Sequence, residues 1–159
     1  MSIIIILMTE MSIKETKRFL KQGTFTGKLA TVKEDGSPHV VPIWFVLRDG
    51  RNRKGKIGDI LLTTGSTSIK ARYIQNDNRV SISVDDQTPP FSFVAVHGTA
   101  KIQNPKKNEL LRWATIIAER YMGKDKAEEY GRLNGSEGAV LVRIKPTKII
   151  AEKDVAVIS

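Results

Sequence analysis

Residues 38–47, Pro38-His39-Val40-Val41-Pro42-Ile43-Trp44-Phe45-Val46-Leu47, constrain the fold more than any other stretch. With the two-residue period of a strand, one face carries His39, Val41, Ile43, Phe45 and Leu47. The other carries Pro38, Val40, Pro42, Trp44 and Val46. Both faces are apolar, the pattern of a strand covered on both sides. Pro42 has no N–H for a ladder, so the strand is bulged or lies at an edge there. A bulge would leave backbone groups beside Ile43 and Trp44 facing a ligand. The alternative is an ordinary core strand with Pro42 at a barrel rim. One face packs inward, and the outer face needs a cover, for which a second subunit is the simplest.

The remaining elements read as neighbours of this strand. Ser12-Ile13-Lys14-Glu15 has capping-box spacing, which predicts a helix to about Lys21, stopped by Gly23. Leu29–Val32 reads as a strand, and Asp35-Gly36 as the hairpin turn that leads into residues 38–47. Strands are also expected at 59–64, at 79–84, where polar and apolar residues alternate, and at 91–102. Gly98 marks a bend or close backbone approach in the last of these. Asn104-Pro105 reads as a helix start with Pro at the first helical position. Leu110, Trp113, Ala114, Ile117, Ala118 and Tyr121 share one face of that helix, and Gly123 ends it. A short helix from about Asp125 to Leu133 precedes a strand at 139–145, which Pro146 interrupts and 148–151 continue. Six strands in hairpin-like succession and about four helices predict an antiparallel sheet that forms a closed or split β-barrel.

The 159 residues suit one domain, here 12–159, after an extension at 1–11 that is either an extra strand or an over-long start. Its apolar run, Ile3–Leu7, is far too short to cross a bilayer and has no basic segment before it. The absence of cysteine excludes disulfides, thiolate metal sites and a catalytic thiol, and is consistent with a cytoplasmic setting. The net charge is +9, and five cations with one acid crowd into residues 48–56. That loop reads as a solvated hairpin tip or as a contact for a polyanion.

A second stretch carries chemistry. Thr63-Thr64-Gly65-Ser66-Thr67-Ser68-Ile69-Lys70-Ala71-Arg72 leads from a strand into a helix that runs through Asn76. Ser66 or Ser68 can cap that helix. Lys70 and Arg72 then sit near its N-terminus, where negative charge is preferred. A bound anion held by free amides, hydroxyls and both cations resolves the mismatch. Two cations that merely point into water leave it standing. Other chemistry is missing. The two histidines fall on strands and are too few for a metal site, and no nucleophile elbow, Walker loop or dinucleotide fingerprint occurs. Asp85-Asp86 reads as a loop, and the sparse aromatics are not spaced for stacking nucleic-acid bases. A planar cofactor with a phosphorylated tail suits an anion site beside Trp44, and such cofactors carry the hard chemistry themselves.

Several segments in order and spacing carry a family resemblance. They are Thr26–Val32, Asp35–Phe45, Thr64-Gly65 with Ser68–Arg72, Asp77–Ser81, Pro89–Phe91 and Val96–Ala100. Together they resemble the pyridoxamine 5′-phosphate oxidase-like, FMN-binding split barrels. Tyr121-Met122-Gly123 and Arg143–Lys148 are similar to the branch that uses the deazaflavin coenzyme F420. The resemblance, over about residues 13–151, implies a homodimer of six-stranded split barrels with cofactor sites at the interface. It implies that Ser68, Ile69 and Lys70 hold the cofactor phosphate and that Val41, Pro42, Ile43 and Trp44 lie against the ring. Thr63, Thr64, Arg72 and Tyr73 complete the candidate cofactor-binding set. The flavin oxidases carry an arginine in the strand that matches 39–45 and more cations at the phosphate site. This chain has neither, which favours F420 over FMN. The expected activity is hydride transfer to a small conjugated acceptor, with no catalytic side chain assigned. An FMN enzyme, a carrier without turnover and a nucleic-acid binder are the alternatives.

Overall fold

The computed structural model describes residues 9–49 and 56–156. Its elements are β1 (Thr9–Glu10), α1 (Ile13–Lys21), β2 (Gly27–Val32), β3 (Pro38–Ile43), β4 (Val46–Arg48) and β5 (Asp59–Gly65), followed by α2 (Ile69–Asn76), β6 (Arg79–Asp86), β7 (Ser92–Gln103), α3 (Lys107–Met122), α4 (Ala127–Asn134) and β8 (Ala139–Lys153). The strands pair antiparallel in the order β3-β2-β6-β7-β8-β5-β4, and β1 adds to β8. β3 and β4 stand at opposite ends of that order, yet only Trp44 and Phe45 separate them in the chain. One run of backbone therefore supplies both edges, and the sheet curls into a split barrel. Six expected strands become eight because the 38–47 run is interrupted and β1 precedes α1.

Local signals explain most of these elements. Ser12 and Glu15 form the capping box: the Ser12 amide donates to Glu15 Oε2 at 2.8 Å and the Glu15 amide to Ser12 Oγ at 3.2 Å. Asp35 Oδ1 accepts from the Ser37 amide at 3.0 Å, and Gly36 takes a φ of 85° in the β2–β3 turn. β7 and β8 shift register between His97 and Gly98, so Thr147 is the extra residue. β8 thereby passes Pro146 as one strand, and Thr147 Oγ1 donates to the His97 carbonyl at 3.1 Å. A Cβ on Gly98 would strike the Lys145 carbonyl, which is the close approach that its sequence position implied.

Two expectations are corrected: the continuity of the strand at 38–47 and the start of the long helix. The strand at 38–47 is not continuous. In the single chain its outer face is open, with Pro38, Val40 and Pro42 exposed. Of the two readings that the missing N–H of Pro42 allowed, the structure has the edge: Pro42 lies on an edge strand in unbroken register with β2, without a bulge. The α3 helix begins at Lys107, because Lys106 is extended, with ψ of 147°, and leaves Pro105 outside.

Leu29, Phe45, Ile60, Leu62, Ile82, Val84, Val94, Val96, Val142 and Ile144 fill the barrel, joined by Phe19 and Leu20 of α1. Each such side chain contributes about 1.5–3 kcal/mol by leaving water. A second cluster gathers Val46, Leu61, Leu110, Ile117 and Leu141, with Trp44, Trp113 and Tyr121 packed against it. That cluster seats α3 on the β4–β5–β8 side, beside the interruption.

Candidate functional site

The site grows from the interruption and the N-terminus of α2. Ser68, extended at ψ of 156°, is the N-cap: its Oγ accepts from the Ala71 amide at 3.2 Å and from Thr64 Oγ1 at 2.9 Å. The last turn of β5 is thus tied to the first turn of α2. No acid occupies that turn, and the Ile69 and Lys70 amides have no acceptor among the described residues. A helix N-terminus with two free amides is an anion-binding arrangement.

Pro42, Ile43, Trp44, Thr63, Lys70, Ile117, Tyr130, Leu133 and Asn134 line a cleft of about 340 Å³. A polar hollow of about 470 Å³ adjoins it through Thr63, Leu133 and Asn134, and is walled by Thr64–Thr67 and Ser136–Ala139. Five of the expected residues, Pro42, Ile43, Trp44, Thr63 and Lys70, therefore share one cleft, and Thr64 lines its neighbour. Ser68 stands behind them as the cap. Ile69 is exposed at the helix start. Val41 packs against the barrel interior instead, because β3 alternates and its outward residues are Pro38, Val40 and Pro42. Arg72 turns to the β2–β3 hairpin, where its Nε lies 3.3 Å from Glu34 Oε1. It is two residues from Lys70, about 200° around the helix, so the two cations diverge. The Tyr73 ring meets His39 edge-on at 5.4 Å.

The sequence reading missed Ile117, Tyr130, Leu133 and Asn134, all from α3 and α4, and also the support of Trp44. The Trp44 and Tyr121 rings are parallel to within 4° with centroids 5.1 Å apart, and Tyr130 lies at 6.5 Å from Trp44. Tyr121 Oη donates to the Phe25 carbonyl at 2.8 Å and accepts from the Phe45 amide at 3.2 Å. Burial pushes the Tyr121 phenol above its ordinary value, so it remains a neutral donor. Arg120 donates to the Phe45 carbonyl at 2.8 Å, to Leu20 at 2.7 Å and to Gly23 at 3.0 Å. Burial pulls its guanidinium below the ordinary value.

Arg51, Arg53 and Lys54 fall outside the described residues. The flanking Arg48 pairs opposite Asp59, at the far end of the seven-residue β5 from Thr63–Gly65. Four to six residues of strand separate Asp59 from Thr63–Gly65, roughly 13–20 Å.

An interrupted antiparallel barrel with an anion-ready helix start at the interruption defines the class of pyridoxamine 5′-phosphate oxidase-like split barrels. The sequence profile described as pyridoxamine 5′-phosphate oxidase matches residues 13–152, and the chain belongs to that family. No curated protein matches it significantly. Among solved structures, it is similar to a conserved hypothetical protein of Mycobacterium tuberculosis at 27% identity and a TM-score of 0.75, over 92% of this chain and 89% of that one. It is similar to an F420 reductase at 26% identity and a TM-score of 0.61, over 83% and 94% of the two chains. An FAD-binding protein of Mesorhizobium loti shares the fold at 18% identity and a TM-score of 0.63, over 92% and 96%. Proteins similar in fold thus include an F420 reductase and an FAD-binding protein. No helix among the described residues is long and apolar enough to cross a membrane.

Proposed function

We propose that the chain is a homodimeric oxidoreductase that binds coenzyme F420 and transfers hydride to a small conjugated acceptor. The observation that carries this reading is that Lys70, in the first turn of α2, shares one cleft with the Pro42–Trp44 wall. The residues suit the cofactor. The phosphate would meet the Lys70 ammonium, the Ile69 and Lys70 amides and the Ser68 hydroxyl, and the planar ring would lie against Pro42, Ile43 and Trp44. The F420 reductase among its structural relatives supports deazaflavin over flavin.

When bound, reduced deazaflavin supplies the hydride. The protein's part is positioning. Lys70 makes no ion pair among the described residues, so its charge is free for the anion. Tyr130 and Asn134 add polar groups to the lining that could orient an acceptor, and the exposed Leu133 lines both this cleft and the adjoining hollow. Among the described residues no carboxylate or imidazole lines this cleft, which fits a transfer that needs orientation more than proton abstraction.

The test is a titration of the purified protein with F420 and, separately, with FMN, read by deazaflavin and flavin fluorescence. F420 is expected to bind more tightly than FMN. Lys70→Ala is expected to weaken it by at least about tenfold, the scale of one charge-assisted contact to phosphate, with the fold unchanged. Tighter FMN binding would move the assignment to a flavin enzyme. Undiminished F420 binding by Lys70→Ala would remove Lys70 from the site.

A further inference from the structure

The apolar run 38–47 has local reason to continue as one strand, yet it stops at Trp44 and Phe45. The two backbone groups of Phe45 that a ladder would use are taken by consecutive residues of α3. Its N–H goes to Tyr121 Oη, and its carbonyl to Arg120 Nη1. Arg120 also lies over the Phe45 ring at 4.7 Å and closes the carbonyl end of α1 through Leu20 and Gly23. A cation suits that end of a helix. No carboxylate pairs with Arg120 among the described residues, so its donors are spent on backbone carbonyls. Directly beside this clamp, the Trp44 indole is stacked on Tyr121 and forms a wall of the cleft.

We infer that Arg120 and Tyr121 are positioning residues: they hold the strand open at Phe45 and fix the Trp44 indole as the surface on which the planar ligand lies. The inference rests on the cleft being a ligand site, but its first readout does not need a ligand. A buried amide left without its partner is unfavourable, so the Phe45 peptide stays out of the ladder only while the clamp supplies partners. The stack holds Trp44 in one plane, and parallel aromatic pairs contribute beyond their buried area.

The chain has two tryptophans, so Trp113→Phe leaves Trp44 as the sole indole reporter. In that background Tyr121→Phe keeps the stack and loses the hydroxyl, and Tyr121→Leu loses both. Acrylamide quenching and near-ultraviolet circular dichroism of Trp44 are measured first without ligand. Tyr121→Leu is expected to raise quenching and flatten the indole signal, and Tyr121→Phe to retain most of it. F420 titration is then expected to show a loss of about three- to tenfold for Tyr121→Leu, the scale of one aromatic pair. A Trp44 signal unchanged in folded Tyr121→Leu overturns the inference, as does a changed signal with unchanged affinity. If the parent protein binds neither F420 nor FMN, the functional reading fails, while the ligand-free Trp44 signal still decides whether Tyr121 sets the indole.

Discussion

At the scale of single residues, charge and hydrogen bonding sort the cations of α2 into two jobs. Lys70 lines the cleft, whereas Arg72 is drawn to Glu34 in a contact exposed on both sides and worth little to stability. The charge mismatch that the sequence shows at this helix start is therefore only partly a ligand signal. Glu15 shows how a residue far from the cleft governs acid behaviour. Its hydrogen bond from Lys153, and then that from the Ser12 amide, hold its carboxyl down from 4.5 to about 2. A depressed carboxyl stabilises the fold fully above its unfolded value, and that share is lost as pH falls through the folded value. The window is thus between about pH 4.5 and 2. Glu15→Gln is expected to lower Tm at pH 7 and to match the parent near pH 2. Asp77, held down by Arg79 in both proteins, cancels in the difference. A Tm gap that persisted unchanged into strong acid would show that the glutamine perturbs packing rather than charge.

At the scale of elements, the cleft depends on how α4 sits on α3. Gly131 faces α3 so closely that a Cβ there would lie 2.8 Å from Thr115 Cα and strike Thr115 Oγ1. Gly135 repeats the contact against Ala114. Gly131→Ala gains about 1 kcal/mol of helix propensity, but crowding backbone against backbone costs about 1–3 kcal/mol. The helices must part to relieve it, and Tyr130, Leu133 and Asn134 would move with α4. Urea unfolding is expected to show a net loss of about 1 kcal/mol, with weaker F420 binding. Full stability with full affinity would mean that α4 is not seated by this contact. Such packing also explains what could be read from sequence. The Ser12–Glu15 box, the Asp35-Gly36 turn and the Ser68 cap are written within a few residues of where they act. The interruption at Phe45 is not, because its cause lies 75 residues away in Arg120 and Tyr121. The α4 wall was equally hidden. Its signal, a glycine inside a helical segment, acquires meaning only once Thr115 is known to face it.

At the scale of the whole molecule, the open face of the sheet is the remaining element to account for. Opposed residues in an antiparallel sheet share a face. One row runs Val40, Ala30, Ser81, His97, Lys148, and the next Pro42, Lys28, Ser83, Ala95, Ile150. Small side chains occupy the middle of both rows, and Val40, 60% exposed, and Ile150, 37% exposed, stand near their edges. Such a flat, partly apolar surface suits a second copy, since a two-fold axis lets the same patch serve both partners. Pro42 lies on this face and also lines the cleft, so a partner covering Val40 would reach the cleft rim. The proposed dimer and the proposed cofactor site are therefore coupled. Sedimentation equilibrium is expected to give twice the monomer mass for the parent and the monomer mass for Val40→Asp, with F420 affinity falling in step. Ile13→Asp, a change at another exposed apolar residue, on α1, is expected to leave both unchanged. A Val40→Asp protein that stayed dimeric would place the interface elsewhere. One that became monomeric but bound F420 as tightly as before would show that a single barrel completes the cleft, because the partner would then contribute nothing at the Pro42 rim.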